Sequence, residues 1–164
     1  MRAMKATKAL SLMEPYAWLI LQRADEDNPR EPLKPIENRP RPLPRTFQVP
    51  QRIWIHASLT LFDVPLWKLQ KVMTPSQWIR CSGNLSSIYG DYHTYKNDKA
   101  RLGRLCYFGH ILGSIVITGQ VTKSDNPWFT GPYGYTVEYP EMLPKAIPYK
   151  GKLGFFEVEL AEPS

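Results

Sequence analysis

The feature that most restricts this chain is where its prolines fall. Seven of the sixteen lie between Pro29 and Pro50. Each proline removes a backbone donor and fixes φ, so this stretch is neither a continuous helix nor a central strand. It reads as extended chain with one short strand over Ile36–Arg39. The same segment carries Arg30, Lys34, Arg39, Arg41 and Arg45 against only Glu31 and Glu37. A solvated loop and a phosphate-facing loop both account for that charge.

Around this segment the pattern is mixed. Ala9–Met13 is a short apolar strand candidate. Pro15 is well placed to open a helix through Arg23, with Tyr16, Leu19 and Ile20 on its buried stripe. Arg52–Ala57 (RIWIHA) alternates as a strand. Val64–Lys71 predicts a helix, and Thr74 is a plausible N-cap for a second over Pro75–Arg80. Ser82–Arg104 is polar and rich in Gly, Asn and Tyr, so it is expected to be irregular. Leu112–Thr122 is the strongest strand in the chain. Gly134–Tyr139 and Phe155–Leu160 are two more, separated by the Pro-, Lys- and Gly-rich run Pro140–Gly154. Strands gather near the C-terminus without helices between them. This predicts an α+β fold: a small barrel of five to six mostly antiparallel strands with peripheral helices. The 164 residues suffice for one domain with a proper core, so the whole span 1–164 is read as a single domain.

Several classes are disfavoured. No window approaches the ~18–20 uninterrupted apolar residues of a membrane helix. Met1–Leu12 has no apolar run of the kind a secretory signal needs. Cys81 and Cys106 show no metal-ligand spacing and read as free thiols in a reducing cytoplasm. His56, His93 and His110 are scattered, so neither a metal nor another cofactor is expected. The 21 Lys+Arg against 15 Asp+Glu give a net charge of +6, which points weakly to a polyanionic partner.

Two constellations can carry chemistry. In Lys34-Pro35-Ile36-Glu37-Asn38-Arg39, an extended backbone puts Glu37 and Arg39 on one face, about 7 Å apart at Cα, with Asn38 on the other. Lys34 can bend back to the same face as Glu37. A Lys beside a carboxylate can serve acid–base work, and an Arg can orient a carbonyl or phosphate. A surface salt-bridge ladder is the plainer account. In Asn126–Tyr135, Trp128, Phe129, Tyr133 and Tyr135 sit among Pro and Gly. Flat faces on a stiff backbone suit base stacking, or simply cap a core. Ser124, Asp125 and Asn126 precede that loop and can read a base edge. Pro148–Gly154 joins two strands and is either a ligand-approaching loop or a plain turn. His56 is assigned no role.

In this order the pieces resemble the ASCH domain family of the PUA-like superfamily. Ala9–Trp18 (ALSLMEPYAW) is similar to the family's opening, and Lys34-x-x-Glu37-x-Arg39 to its K-x-x-E-x-R signature. Arg52–Ser58, Leu112–Val121, Asn126–Tyr135 and Ile147–Val158 resemble four further segments, so the likeness spans nearly the whole chain. The resemblance implies a PUA-like β-barrel with a cleft lined by the signature Lys and Arg, in which relatives bind RNA, DNA or modified bases. Some members are amidohydrolases that deacylate N4-acetylcytidine and related N4-acylcytosines. In those enzymes a Thr follows the Lys by three residues; here that position is Glu37.

The resulting expectation is a cytoplasmic, metal-independent amidohydrolase, monomeric or weakly dimeric. Its substrate is a modified pyrimidine nucleoside. Lys34, Glu37 and Arg39 are the expected catalytic set. Glu37 activates water, Lys34 stabilises the oxyanion or protonates the leaving amine, and Arg39 holds Glu37 or orients the carbonyl. Trp128 and Tyr135 sandwich the base, while Asn38, Asp125 and Asn126 complete the binding site. The alternative is a non-catalytic module that reads a base in single-stranded RNA or DNA. It predicts salt-dependent binding and no turnover of free nucleosides.

Overall fold

A computed structural model describes residues 5–160. The outermost residues of the expected domain, 1–4 and 161–164, lie outside the described residues. The described residues form six strands and four helices: β1 (Lys8–Glu14), α1 (Tyr16–Leu19), β2 (Ile36–Arg39), β3 (Gln51–Leu61), α2 (Leu66–Lys71), α3 (Pro75–Tyr95), α4 (Lys99–Leu102), β4 (His110–Val121), β5 (Tyr133–Pro148) and β6 (Phe155–Glu157). The class is α+β. All strands join one mixed sheet in the order β2-β5-β4-β3-β1-β6. Four of its pairings are antiparallel, and only β1 with β3 is parallel.

The expected small barrel is an open sheet whose ends curl toward each other. Its edge strands β2 and β6 do not pair with one another. Side chains bridge the gap. Tyr135 of β5 stacks on Phe155 of β6 with centroids 6.1 Å apart. Arg39 of β2 donates through Nη2 to the Ser11 carbonyl of β1 at 2.9 Å. The principal core lies inside this curl. Ile53, Ile55, Ile115 and Ile117 share one buried cluster with Leu85 and Ile88 of α3. Burying such side chains yields about 1.5–3 kcal/mol each, the main favourable term here. A smaller cluster of Ala9, Ile111, Phe156 and Val158 covers the opposite face.

Three expectations need correction. The helix expected over Pro15–Arg23 is a single turn, Tyr16–Leu19. Residues 17–21 are buried together rather than on one stripe, and the chain folds back so that the Leu33 amide donates to the Gln22 carbonyl. Ser82–Arg104 is not irregular: α3 continues to Tyr95, and α4 follows. Cys81, Leu85, Ile88 and Tyr89 supply the buried stripe at helical spacing. Thr74 and Gln77 close a reciprocal capping box at its start. Finally, β5 runs through the proline-rich stretch as far as Pro148. Its register against β4 shifts between Val116 and Ser114 and again between Gly113 and Ile111. Pro140 and Pro144 fall in those irregular steps, where no ladder donor is required. At the second shift the backbones approach so closely that a Cβ on Gly113 would collide with the Glu141 carbonyl.

Candidate functional site

Strand β2 and the residues just before it bring Lys34, Glu37 and Arg39 together. Its register sets Glu37 opposite Tyr135 and Asn38 opposite Gly134. Lys34 lies just before the strand and is only 2% exposed. Its Nζ donates to the Ile36 carbonyl at 2.6 Å and to Glu37 Oε1 at 3.1 Å. The ammonium also sits 5.1 Å from the Tyr16 ring centroid, a favourable cation–π position. Glu37 Oε2 accepts from Arg39 Nε at 3.0 Å. One carboxylate is therefore held between two cations, and the guanidinium goes on to the Ser11 carbonyl. A buried carboxylate is tolerated in this setting because both its oxygens are met by charged donors. Glu37 and Arg39 share a face, as the two-residue strand period requires.

This chain of charges lines a cleft of about 1280 Å³, larger than a typical small-ligand pocket. Tyr16 and Phe62, 5.5 Å apart and tilted, are among its aromatic lining, together with the buried Trp128. Helix α2 contributes Lys68 and Leu69, and Val72 follows at its C-cap. The segment Tyr149–Gly154 supplies the remaining edge, including the exposed Lys150 and Lys152.

The other expected binding residues are placed less uniformly. Asn38 borders the cleft but is committed to the 126–131 loop. It donates to the Trp128 carbonyl at 2.9 Å and accepts from the amides of Thr130 and Gly131 at 2.9 and 3.2 Å. Trp128 lines the cleft. Tyr135 is buried outside the lining, with its hydroxyl donating to the Arg41 carbonyl at 2.9 Å. Burial pushes its phenol pKa up. Asp125 is exposed and Asn126 turns its Oδ1 onto the Trp128 amide; neither lines the cleft. Among the described residues, no group of three or more His, Cys, Asp or Glu side chains is arranged to hold a metal.

Sequence reasoning gave no part to Ser11, and none to His56. Parallel pairing of β1 with β3 sets them side by side. Ser11 Oγ lies 2.8 Å from His56 Nδ1, and His56 Nε2 lies 2.7 Å from the Tyr149 carbonyl. A carbonyl only accepts, so Nε2 carries the proton and Nδ1 accepts from the serine hydroxyl. Burial lowers the His56 pKa, which favours this neutral tautomer. The register of β3 against β4 shifts between Ile55 and His56, with Leu112 the extra residue on β4, and His56 lines the cleft. Gly151 lies so close that a Cβ there would overlap the imidazole. The only local signal was a serine and a histidine on two apolar strands, and their pairing is non-local.

No helix among the described residues is long and apolar enough to cross a membrane. Compared with family models and with curated proteins, the chain matches none.

Proposed function

We propose that the chain is an ASCH-type, PUA-like domain whose cleft removes the acyl group from N4-acylated cytosine nucleosides such as N4-acetylcytidine. The observation that carries this reading is the Lys34–Glu37–Arg39 chain buried at a cleft large enough for a nucleoside. Hydrolysis of an amide needs positive charge where the carbonyl oxygen becomes an oxyanion, and a base for the attacking group. Lys34 uses two of its donors on Ile36 and Glu37, which leaves its third for a substrate oxygen entering beside Tyr16. Glu37 accepts one bond at each oxygen, and each keeps a free lone pair for a water. Arg39 fixes that carboxylate. Tyr16, Phe62 and Trp128 provide the flat apolar surface on which a base lies. Two cysteines without a disulfide accord with a cytoplasmic setting.

The test is an absorbance assay with N4-acetylcytidine and longer N4-acyl analogues. Conversion to cytidine is expected, with at least a 100-fold fall in kcat/KM for Lys34→Ala. Turnover that survives in Lys34→Ala would remove Lys34 from the chemistry.

A second reading, a non-catalytic module for single-stranded RNA or DNA, is favoured by one surface. Trp67 is 56% exposed beside the cleft, with Lys68 and Lys71 ammoniums 5.6 and 5.3 Å from its ring. A stacking platform among cations suits a polynucleotide. This reading takes over if no nucleoside is turned over and binding to RNA or DNA weakens steeply with salt.

A further inference from the structure

We propose that Ser11 is a nucleophile served by His56, and that the cleft transfers an acyl group to Ser11 before water releases it. The proposal deepens the amidohydrolase reading and rests on it for the identity of the acyl donor. Ser11 and His56 are adjacent on paired strands, both line the cleft, and their contact is 2.8 Å. That is the reach of a nucleophile to its base. The opposite ring nitrogen is anchored 2.7 Å from the Tyr149 carbonyl, which fixes the imidazole and its tautomer. Nucleophile, base and orienting acceptor thus stand in line, as such chemistry demands. The Gly151 backbone packs directly against the pair, so closely that any side chain there would collide with the imidazole. Ser11 itself is only partly buried. The Arg39 guanidinium, bonded to the Ser11 carbonyl, brings a cation to the same residue.

The step balances without any further reactant. His56 Nδ1 takes the hydroxyl proton as Ser11 Oγ bonds to the acyl carbon. The tetrahedral oxyanion then collapses, the C–N bond breaks, and His56 returns the proton to the departing amine of cytosine. The acyl group is now an ester on Ser11. Water, deprotonated by His56, attacks that ester. The acid leaves and Ser11 Oγ recovers the proton. Glu37 keeps Lys34 and Arg39 in place throughout.

The experiment combines rapid-quench mass spectrometry of the intact protein with kinetics, using N4-acetylcytidine and p-nitrophenyl acetate as probes. The expected result is a 42-dalton acetyl adduct on Ser11 and at least a 100-fold loss of turnover in Ser11→Ala. Ser11→Cys keeps the side-chain shape and should trap the acetyl group as a thioester, which guards against a loss caused by misfolding alone. Full turnover in Ser11→Ala, with no adduct, overturns the proposal; if Lys34→Ala is then inactive, the amidohydrolase reading survives with water attacking directly. Acetylation of Ser11 by p-nitrophenyl acetate without turnover of N4-acetylcytidine keeps the nucleophile and overturns the substrate. Neither adduct nor turnover with either probe overturns both.

Discussion

Glu14 is a buried carboxyl with one oxygen unmatched. Its carboxyl is fully buried at the end of β1, where Oε1 accepts from the Trp18 amide at 2.8 Å and Oε2 has no hydrogen-bond partner. Burial pushes its pKa from 4.5 up to about 8, so it is mostly protonated at neutral pH. The unfolded chain releases that proton at the lower value. Between the two values the folded state holds a proton that the unfolded state has lost, so stability falls as pH rises, by up to about 1.4 kcal/mol per pH unit. Glu14→Gln abolishes this slope. Its amide still accepts from Trp18, but its NH2 is left as unmatched as Oε2 was, a cost that does not vary with pH. Thermal melts from pH 4.5 to 8 should therefore show the variant gaining on the wild type, with the gain levelling above pH 8. A parallel pair of curves would mean that Glu14 does not titrate in this way.

At the level of elements, α3 repays attention to its first turn. Thr74 accepts from the Gln77 amide at 3.2 Å and Gln77 Oε1 accepts from the Thr74 amide at 3.0 Å. The Gln77 side chain also donates to the Ala24 carbonyl, and Arg80 donates to Arg23. The cap thus secures both the helix and the turn that leads toward Lys34. Thr74→Ala should cost about 1 kcal/mol in chemical denaturation, with turnover unchanged. An unchanged midpoint would show that the cap adds nothing to the packed helix. That capped start is visible in the sequence, yet the helix beyond Arg80 is not. Gly83 and Gly90 interrupt the pattern, and both face open space where the missing side chain costs no packing. The stripe is only one or two residues wide per turn, too thin to outweigh so many polar neighbours. By contrast Ile36–Arg39 is legible to the residue. Flanking prolines leave room for nothing else, and its charged groups lie within five residues of Lys34. The Ser11–His56 contact joins residues 45 apart and exists only through strand pairing.

Across the whole molecule, the seam between β2 and β6 decides how the sheet curls. Phe155 stacks on Tyr135 and also meets Phe47 at 4.9 Å. Phe155→Ala removes both rings' partner. With the side chain half-buried, the loss should be about 2 kcal/mol, below the 3–5 kcal/mol of a fully buried phenylalanine. Hydrogen exchange followed by mass spectrometry should show faster exchange in β2 and β6 while β3 and β4 keep their protection. Uniform acceleration across all strands would mean that the seam is no weaker than the rest.

Strand order also has a consequence for how the protein is made. The strand that carries Glu37 and Arg39 pairs only with β5, about a hundred residues further along, and β1 completes its pairing with β6 at the far end. A growing chain on the ribosome can pair β1 with β3 early, but it holds Lys34, Glu37 and Arg39 long before it holds the strand that pairs with theirs. The histidine's carbonyl anchor, at residue 149, comes later still. The cleft side chains therefore take up their arrangement only after residues 133–149 have been made, and a chain interrupted before β5 lacks both the partner of β2 and the anchor of His56.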